Sequence, residues 1–361
     1  LQGFCDMHLH APQYPMLGMG MDLQLLDWLK TYTFKTEARF SDTEYAGRVY
    51  KQLASELIGN GTTRVCMFSS SHAEATLALM EALEKAGVSG YVGKVNMDRD
   101  SGECQETTED SKRETLRWLE GCARFQGVRP ILTPRFTPSC TNDLMAWLGE
   151  RADEHGLYVQ SHLSENQREI ELVKKLHPEC SQYWETYDRY GLWKERTVMA
   201  HCVLSDEREQ DAMIEHNVLC VHCPDSNINI CSGFAPVRRM KRRGVWVALG
   251  SDIAGGAELH MLRVMTSAIR ASKAKAIETK GGDAFLTVGE AYYLGTSAGA
   301  RYFGDRDGFA PGNRLHAVVI DDGALPESTR PLAVSERFER AVYLAGEKDI
   351  TAVYAAGKRV K

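Results

Sequence analysis

The chain has 361 residues, 43% of them hydrophobic, and a formal net charge of −6. That length allows two average domains or one large α/β barrel with an appendage, and the hydrophobic content is ordinary for a globular chain with a sizeable core. The acidic balance argues against a nucleic-acid binder. The strongest basic run, Arg238-Arg239-Met240-Lys241-Arg242-Arg243, reads as the solvated end of a helix before Gly244 rather than as a phosphate patch.

Eight β-type runs are predicted, at 4–10, 62–68, 90–97, 128–136, 157–162, 197–202, 218–223 and 245–252, each followed by a helical pattern. The first closes on His8-Leu9-His10. Residues two apart in a strand point to the same side, so both imidazoles converge where the strand stops. Tyr45, Val49, Leu53 and Leu57 then recur every four residues behind a capping-box signal at Ser41 and Glu44, and that helix is predicted to stop at Gly59-Asn60-Gly61. The fifth run leads into His162, the sixth into His201 and the eighth into Asp252. Thr287 and Glu290 repeat the capping-box signal. After about residue 305 the pattern changes: 315–320 and 350–355, the latter followed by the turn Gly357-Lys358, read as strands of a small β appendage. The expected domains are therefore a (β/α)8 barrel over 1–305 and the C-terminal strands of a small β-sandwich over 306–361.

Strand–helix alternation repeated eight times reads as a TIM-type (β/α)8 barrel with buried parallel strands. An open doubly wound sheet shares the alternation but normally carries a glycine-rich phosphate turn after its first strand, and none is present. A barrel places catalytic groups at the carboxyl ends of its strands, where His8, His10, His162, His201 and Asp252 fall. Of the ten cysteines, Cys5, Cys66, Cys202 and Cys220 lie inside apolar runs, where free cysteine packs as a small hydrophobe. No signal peptide or membrane-spanning run is visible, so a reducing cytoplasm is the expected compartment.

A single strand-closing histidine is more often structural than functional. Four ligand-type endings in series point instead to a divalent ion, with zinc suited to this mixture of nitrogen and oxygen donors and iron an alternative. Structural zinc sites are usually closed by thiolates, so these donors argue for a catalytic metal, which lowers the pKa of its water to about 7. Glu165, three residues past His162, is placed either to shuttle a proton or simply to face the helix N-terminus ahead of Gln167-Arg168-Glu169-Ile170.

The strings Asp6-Met7-His8-Leu9-His10, Ser161-His162-Leu163-Ser164-Glu165, Met199-Ala200-His201 and Gly250-Ser251-Asp252 resemble the amidohydrolase superfamily. The resemblance narrows to the guanine deaminase family through His10-Ala11-Pro12-Gln13-Tyr14, Thr133-Pro134-Arg135-Phe136, Ser161-His162-Leu163-Ser164-Glu165-Asn166 and Asp252-Ile253-Ala254-Gly255-Gly256. Softer matches are Leu29-Lys30-Thr31-Tyr32-Thr33-Phe34 and His222-Cys223-Pro224-Asp225-Ser226-Asn227. The resemblance implies one zinc per chain bound by His8, His10, His162 and Asp252, with Glu165, His201 and Asp252 catalytic. Pro134-Arg135-Phe136 stands where binuclear relatives carry a carboxylated lysine, which supports a single metal. Gln13, Arg135 and Phe136 are implied to hold the purine, together with His162, Glu165 and Asp252. The implied reaction is hydrolytic deamination of guanine to xanthine and ammonia by a homodimer, with no nucleic-acid or membrane partner.

Taken singly, Arg135 also reads as half of a structural ion pair, Gln13 as a surface-loop residue and Phe136 as core. His72, His155, His177, His216 and His260 read as structural or surface, His222 as pocket-lining but not a ligand, and Lys94 as structural or solvent-reaching. Cys223 and Cys231 are expected near the mouth as inert thiols. Relatives carry a segment ahead of the first barrel strand that completes the appendage, so residues upstream of Leu1 are expected. Three rival readings are another deaminase or triazine hydrolase of the superfamily, a catalytically silent scaffold barrel, and a phosphate-binding barrel enzyme, for which Gly255-Gly256 alone is a weak signal.

Overall fold

The structure, a computed structural model, describes residues 1–361. Two four-stranded parallel sheets form its centre. One contains β1 (Phe4–His10), β2 (Thr62–Phe68), β3 (Ser89–Gly93) and β5 (Val128–Pro130); β4 (Val95–Asn96) and β6 (Thr133–Pro134) pair with each other as its continuation. The other contains β7 (Gln160–Leu163), β8 (Val198–His201), β9 (Leu219–His222) and β10 (Trp246–Leu249). Every residue of β1 and β2 is buried, as expected of strands covered on both faces.

The two sheets join into one ring. At the first seam Leu132 bridges Val159, with Leu132 N–H donating to the Tyr158 carbonyl and Gln160 N–H to the Leu132 carbonyl, both at 2.9 Å. At the second seam Asp252 N–H donates to the His8 carbonyl at 2.8 Å and His10 N–H to the Ile253 carbonyl at 3.1 Å. Farther down that seam a helical segment wedges in: Cys5 N–H donates to the Gly295 carbonyl, and a Cβ on Gly299 would stand 2.6 Å from that of Cys5. The barrel predicted from the alternation is the fold observed.

Three sequence expectations need correction. The third and fourth runs are each broken in two. Lys94, between β3 and β4, is fully buried in an ion pair with Glu106 at 2.9 Å, so it is structural and does not reach solvent. β5 ends at Pro130, one residue before Ile131 N–H makes a last bond to the Val92 carbonyl at 3.2 Å. The helix Thr43–Gly59 is capped by Asp42, not Ser41: the Asp42 carboxylate accepts from Glu44 N–H and Tyr45 N–H, while the Ser41 hydroxyl is turned back onto the Ala38 carbonyl. The capping box at Thr287 and Glu290 is present as predicted.

After residue 305, β11 (Ala317–Ile320), β12 (Ile350–Ala355) and β13 (Lys358–Arg359) form an antiparallel sheet, tied to the barrel by a bridge between Gln2 and Ala317. The helix Val334–Leu344, which sequence reasoning did not anticipate, precedes β12. The basic run forms the last turns of the helix Val237–Arg243, ending at left-handed Gly244, with Arg243 paired to Asp211. No helix is long and apolar enough to cross a membrane.

Candidate active site

The strand ends converge as the periodicity required. His8 Nε2 lies 3.2 Å and His10 Nε2 3.5 Å from Asp252 Oδ1, and His10 Nε2 lies 3.2 Å from His162 Nε2. All four side chains are buried. Asp252 stands three residues past β10, not at its end, and is fixed there by its backbone bond to His8 and by φ of +49°. Gly250 permits this approach, because a Cβ there would stand 2.8 Å from the His8 carbonyl. Asp6 adds a tie across the seam by accepting from the backbone N–H and hydroxyl of Ser251.

Hydrogen bonds turn the rings. His162 Nδ1–H donates to the Arg135 carbonyl at 2.6 Å, which fixes the tautomer and leaves the Nε2 lone pair facing the cluster. The Tyr187 hydroxyl donates to the His162 carbonyl at 2.8 Å. Both ring nitrogens of His8 and Nδ1 of His10 are buried without a hydrogen-bond partner. Burial, reinforced by His8, pushes the His10 and His162 imidazoles well below their usual pKa, so both are neutral. Burial alone would raise Asp252, but the His8 and His201 imidazoles hold it below the ordinary carboxylate value. Neutral imidazoles with unused lone pairs, aimed at one carboxylate oxygen, are a donor set that fits a divalent cation.

His201 closes β8 with φ of +72°, a left-handed conformation that costs on the order of 1 kcal/mol and recurs at functional sites. Its Nδ1–H donates to Asn227 Oδ1 at 2.8 Å, and its Nε2 faces Glu165 Oε2 at 3.4 Å and Asp252 Oδ2 at 3.7 Å. Burial lowers His201 to about 4. Burial, then the neighbouring Glu169 and Asp252, drives the Glu165 carboxyl well above its usual range, favouring the protonated acid. Glu169 accepts from the Glu165 and Asn166 N–H groups and from the Tyr183 hydroxyl, which fixes the turn that carries Glu165.

A cavity opens beside the cluster. Its lining divides by chemistry into two walls, one of His10, His162, Glu165, His201 and Asp252 and one of Gln13, Arg135 and Phe136, with Leu25, Trp28, Leu29 and Ile230 completing it. Every site residue expected from sequence therefore lines this cavity except His8, which lies in the cluster behind it. Arg135 does make an ion pair, with Glu37 at 2.7 Å, and it makes that pair while lining the cavity.

Two expectations are corrected here. His222 is buried near His201 but does not line the cavity. Cys223 is not at the mouth: its sulfur lies among the ligand atoms of His8, His201 and Asp252, all within 4.8 Å of one another. Burial and the nearby Asp252 carboxylate keep that thiol protonated, and it donates to the Val221 carbonyl. Sequence reasoning missed Glu37, Asn227, Glu169 and the apolar cavity residues. Asn227 and Leu29 lay inside quoted motifs without a role, and Glu37 lies three residues past the end of Leu29-Lys30-Thr31-Tyr32-Thr33-Phe34.

The Amidohydrolase family profile matches residues 1–360. A guanine deaminase of Rattus norvegicus is 39% identical over 378 aligned positions, covering 100% of this chain and 82% of that protein. A crystal structure of guanine deaminase from C. acetobutylicum, with guanine bound in its active site, superposes with a TM-score of 0.96 at 41% identity, covering 100% of this chain and 86% of that one. The E. coli guanine deaminase structure superposes with a TM-score of 0.90 at 30% identity, over 100% of this chain and 83% of that one.

Proposed function

This chain belongs to the Amidohydrolase family, and from that premise we propose that it is a guanine deaminase, hydrolysing guanine to xanthine and ammonia. The observation that carries the reading is a single cavity lined both by a cluster of metal-ligand donors with Glu165 and by Gln13 and Arg135. The relative of C. acetobutylicum, similar over the whole chain, holds guanine in its active site.

His8, His10, His162 and Asp252 would hold one divalent ion. The nitrogen and oxygen donors suit zinc, with iron an alternative, and such an ion supplies Lewis-acid activation of a water. Asp252 would take the proton from the attacking water as the water's oxygen bonds the amine-bearing ring carbon. Glu165, held as the neutral acid by its buried setting, donates to the adjacent ring nitrogen. His201, whose Nδ1–H is committed to Asn227, presents an unprotonated Nε2 that accepts from the hydroxyl formed on the tetrahedral carbon. Proton transfer to the exocyclic amine and cleavage of the C–N bond release ammonia and leave an oxo group in its place.

Gln13 and Arg135 face the purine with hydrogen-bond donors, and Phe136 offers its ring as a packing surface. We divide the chain into a catalytic barrel over 1–305 and a C-terminal sheet over 306–361, place it in the cytoplasm on the support of ten free cysteines, and read it as a homodimer from its family resemblance. Ammonia release from guanine, adenine, cytosine and a triazine, assayed side by side, tests the activity. Turnover of guanine alone is expected; a triazine or adenine hydrolysed faster than guanine would replace this reading with a sister activity.

A further inference from the structure

Glu37, on the short helix Phe34–Ala38, is 1% exposed and touches the cavity only through two other residues. Its Oε1 accepts from Gln13 Nε2 at 2.9 Å, and its Oε2 accepts from Arg135 Nη1 at 2.7 Å. Gln13 Oε1 in turn accepts from the Ala254 N–H at 3.0 Å. With a backbone donor on one side and a carboxylate on the other, the Gln13 amide has a single satisfied orientation. Arg135 is 2% exposed, and Glu37 is its one carboxylate partner. An unpaired guanidinium at that depth would be a strong local attractor for anions, because Coulomb attraction is poorly screened there.

We propose that Glu37 is a positioning and specificity-determining residue that fixes the Gln13 amide and cancels the Arg135 charge, so that the cavity holds a neutral purine and lets the more acidic product go. The proposal rests on the guanine-to-xanthine reading. Replacing the amine by an oxo group places a ring N–H between two carbonyls, which makes xanthine a stronger acid than guanine. At mildly alkaline pH the product is largely an anion while the substrate is neutral. A wall with no net charge treats the two alike; a wall carrying a bare cation would retain the product.

The test compares inhibition by xanthine and by hypoxanthine, a neutral purine at the same pH, in the metal-loaded wild type and in three variants. In Glu37→Gln the ratio of the xanthine to the hypoxanthine inhibition constant is expected to fall by about tenfold, the mark of an unmasked cation. The new amide also offers Gln13 a mismatched partner, so KM for guanine rises. Arg135→Gln leaves Glu37 unpaired and is expected to move the same ratio the opposite way. Glu37→Asp keeps the charge and keeps the wild-type ratio. General damage to the cavity weakens both inhibitors together, so equal shifts in the first two variants overturn the proposal. Should Glu37→Gln not fold, the rise in Arg135→Gln alone decides. Wild-type turnover of guanine is scored first: its absence fails the functional reading, whereas normal turnover with an unmoved ratio fails only the role given to Glu37.

Discussion

The two walls of the cavity are built in different ways. The metal-ligand wall comes from strand ends of the barrel, His10 on β1 with His8 behind it, His162 on β7 and His201 on β8, with Asp252 stitched to β1 by a backbone bond. The purine-reading wall comes from connecting segments: Gln13 in the turn after β1, Arg135 and Phe136 just past β6, and Trp28 and Leu29 in the long excursion before β2. Reaction chemistry sits on the scaffold, and substrate choice sits on the connections, where change is tolerated best. Damage to the first wall should therefore reduce turnover of any substrate, and damage to the second should act chiefly on which substrate is bound.

The largest effect is expected at Glu165. Glu165→Gln should keep the fold and the bound metal while lowering kcat by about 10²–10⁴-fold, the usual contribution of a positioned general acid. A retained rate within about tenfold, roughly 1.4 kcal/mol of barrier, would remove Glu165 from that role. Next comes Asn227→Ala, which frees the His201 ring. A loss of about tenfold to a hundredfold in kcat with little change in KM is expected, as for other partners that orient a site histidine. Gln13→Ala belongs to the other wall: kcat/KM for guanine should fall about tenfold, carried mainly by KM, since one uncharged hydrogen bond is worth roughly 0.5–1.5 kcal/mol. If Gln13→Ala instead lowers kcat alone, the two walls are not separable as described.

The last effect concerns stability and does not touch the cavity. Burial raises the Glu209 carboxyl to about 7, with partial relief from Ser205 and Ser164. Because its folded pKa lies above its unfolded one, the folded state binds the extra proton between about pH 4.5 and 7. This contribution is fully present below pH 4.5 and is lost as pH rises towards 7, up to roughly 3 kcal/mol. Denaturant unfolding across that range should show the decline in the wild type and a flatter profile in Glu209→Gln.

The same division explains what could be read from sequence. Strand ends obey a period of two, so His8 and His10 announce a shared target, and the later endings at His162, His201 and Asp252 complete it without tertiary information. Glu37 carries no such signal. It lies in a segment with no strand pattern, and its meaning depends on Gln13, 24 residues away, and Arg135, 98 residues away. The misplaced helix cap had a local cause, since either Ser41 or Asp42 could close that helix and only the backbone shows the serine hydroxyl already committed to Ala38. The break at Lys94 was hidden for the opposite reason: its partner, Glu106, lies in a loop that strand periodicity does not describe.

The central claim, one metal-dependent reaction on guanine at this cavity, is tested most directly by following the ultraviolet change from guanine to xanthine with the protein as purified, after chelator treatment, and after zinc is restored. The account predicts turnover, its loss on chelation and its return with roughly one equivalent of zinc per chain. Undiminished turnover by the fully demetallated protein, or no xanthine from the zinc-loaded one, would contradict it.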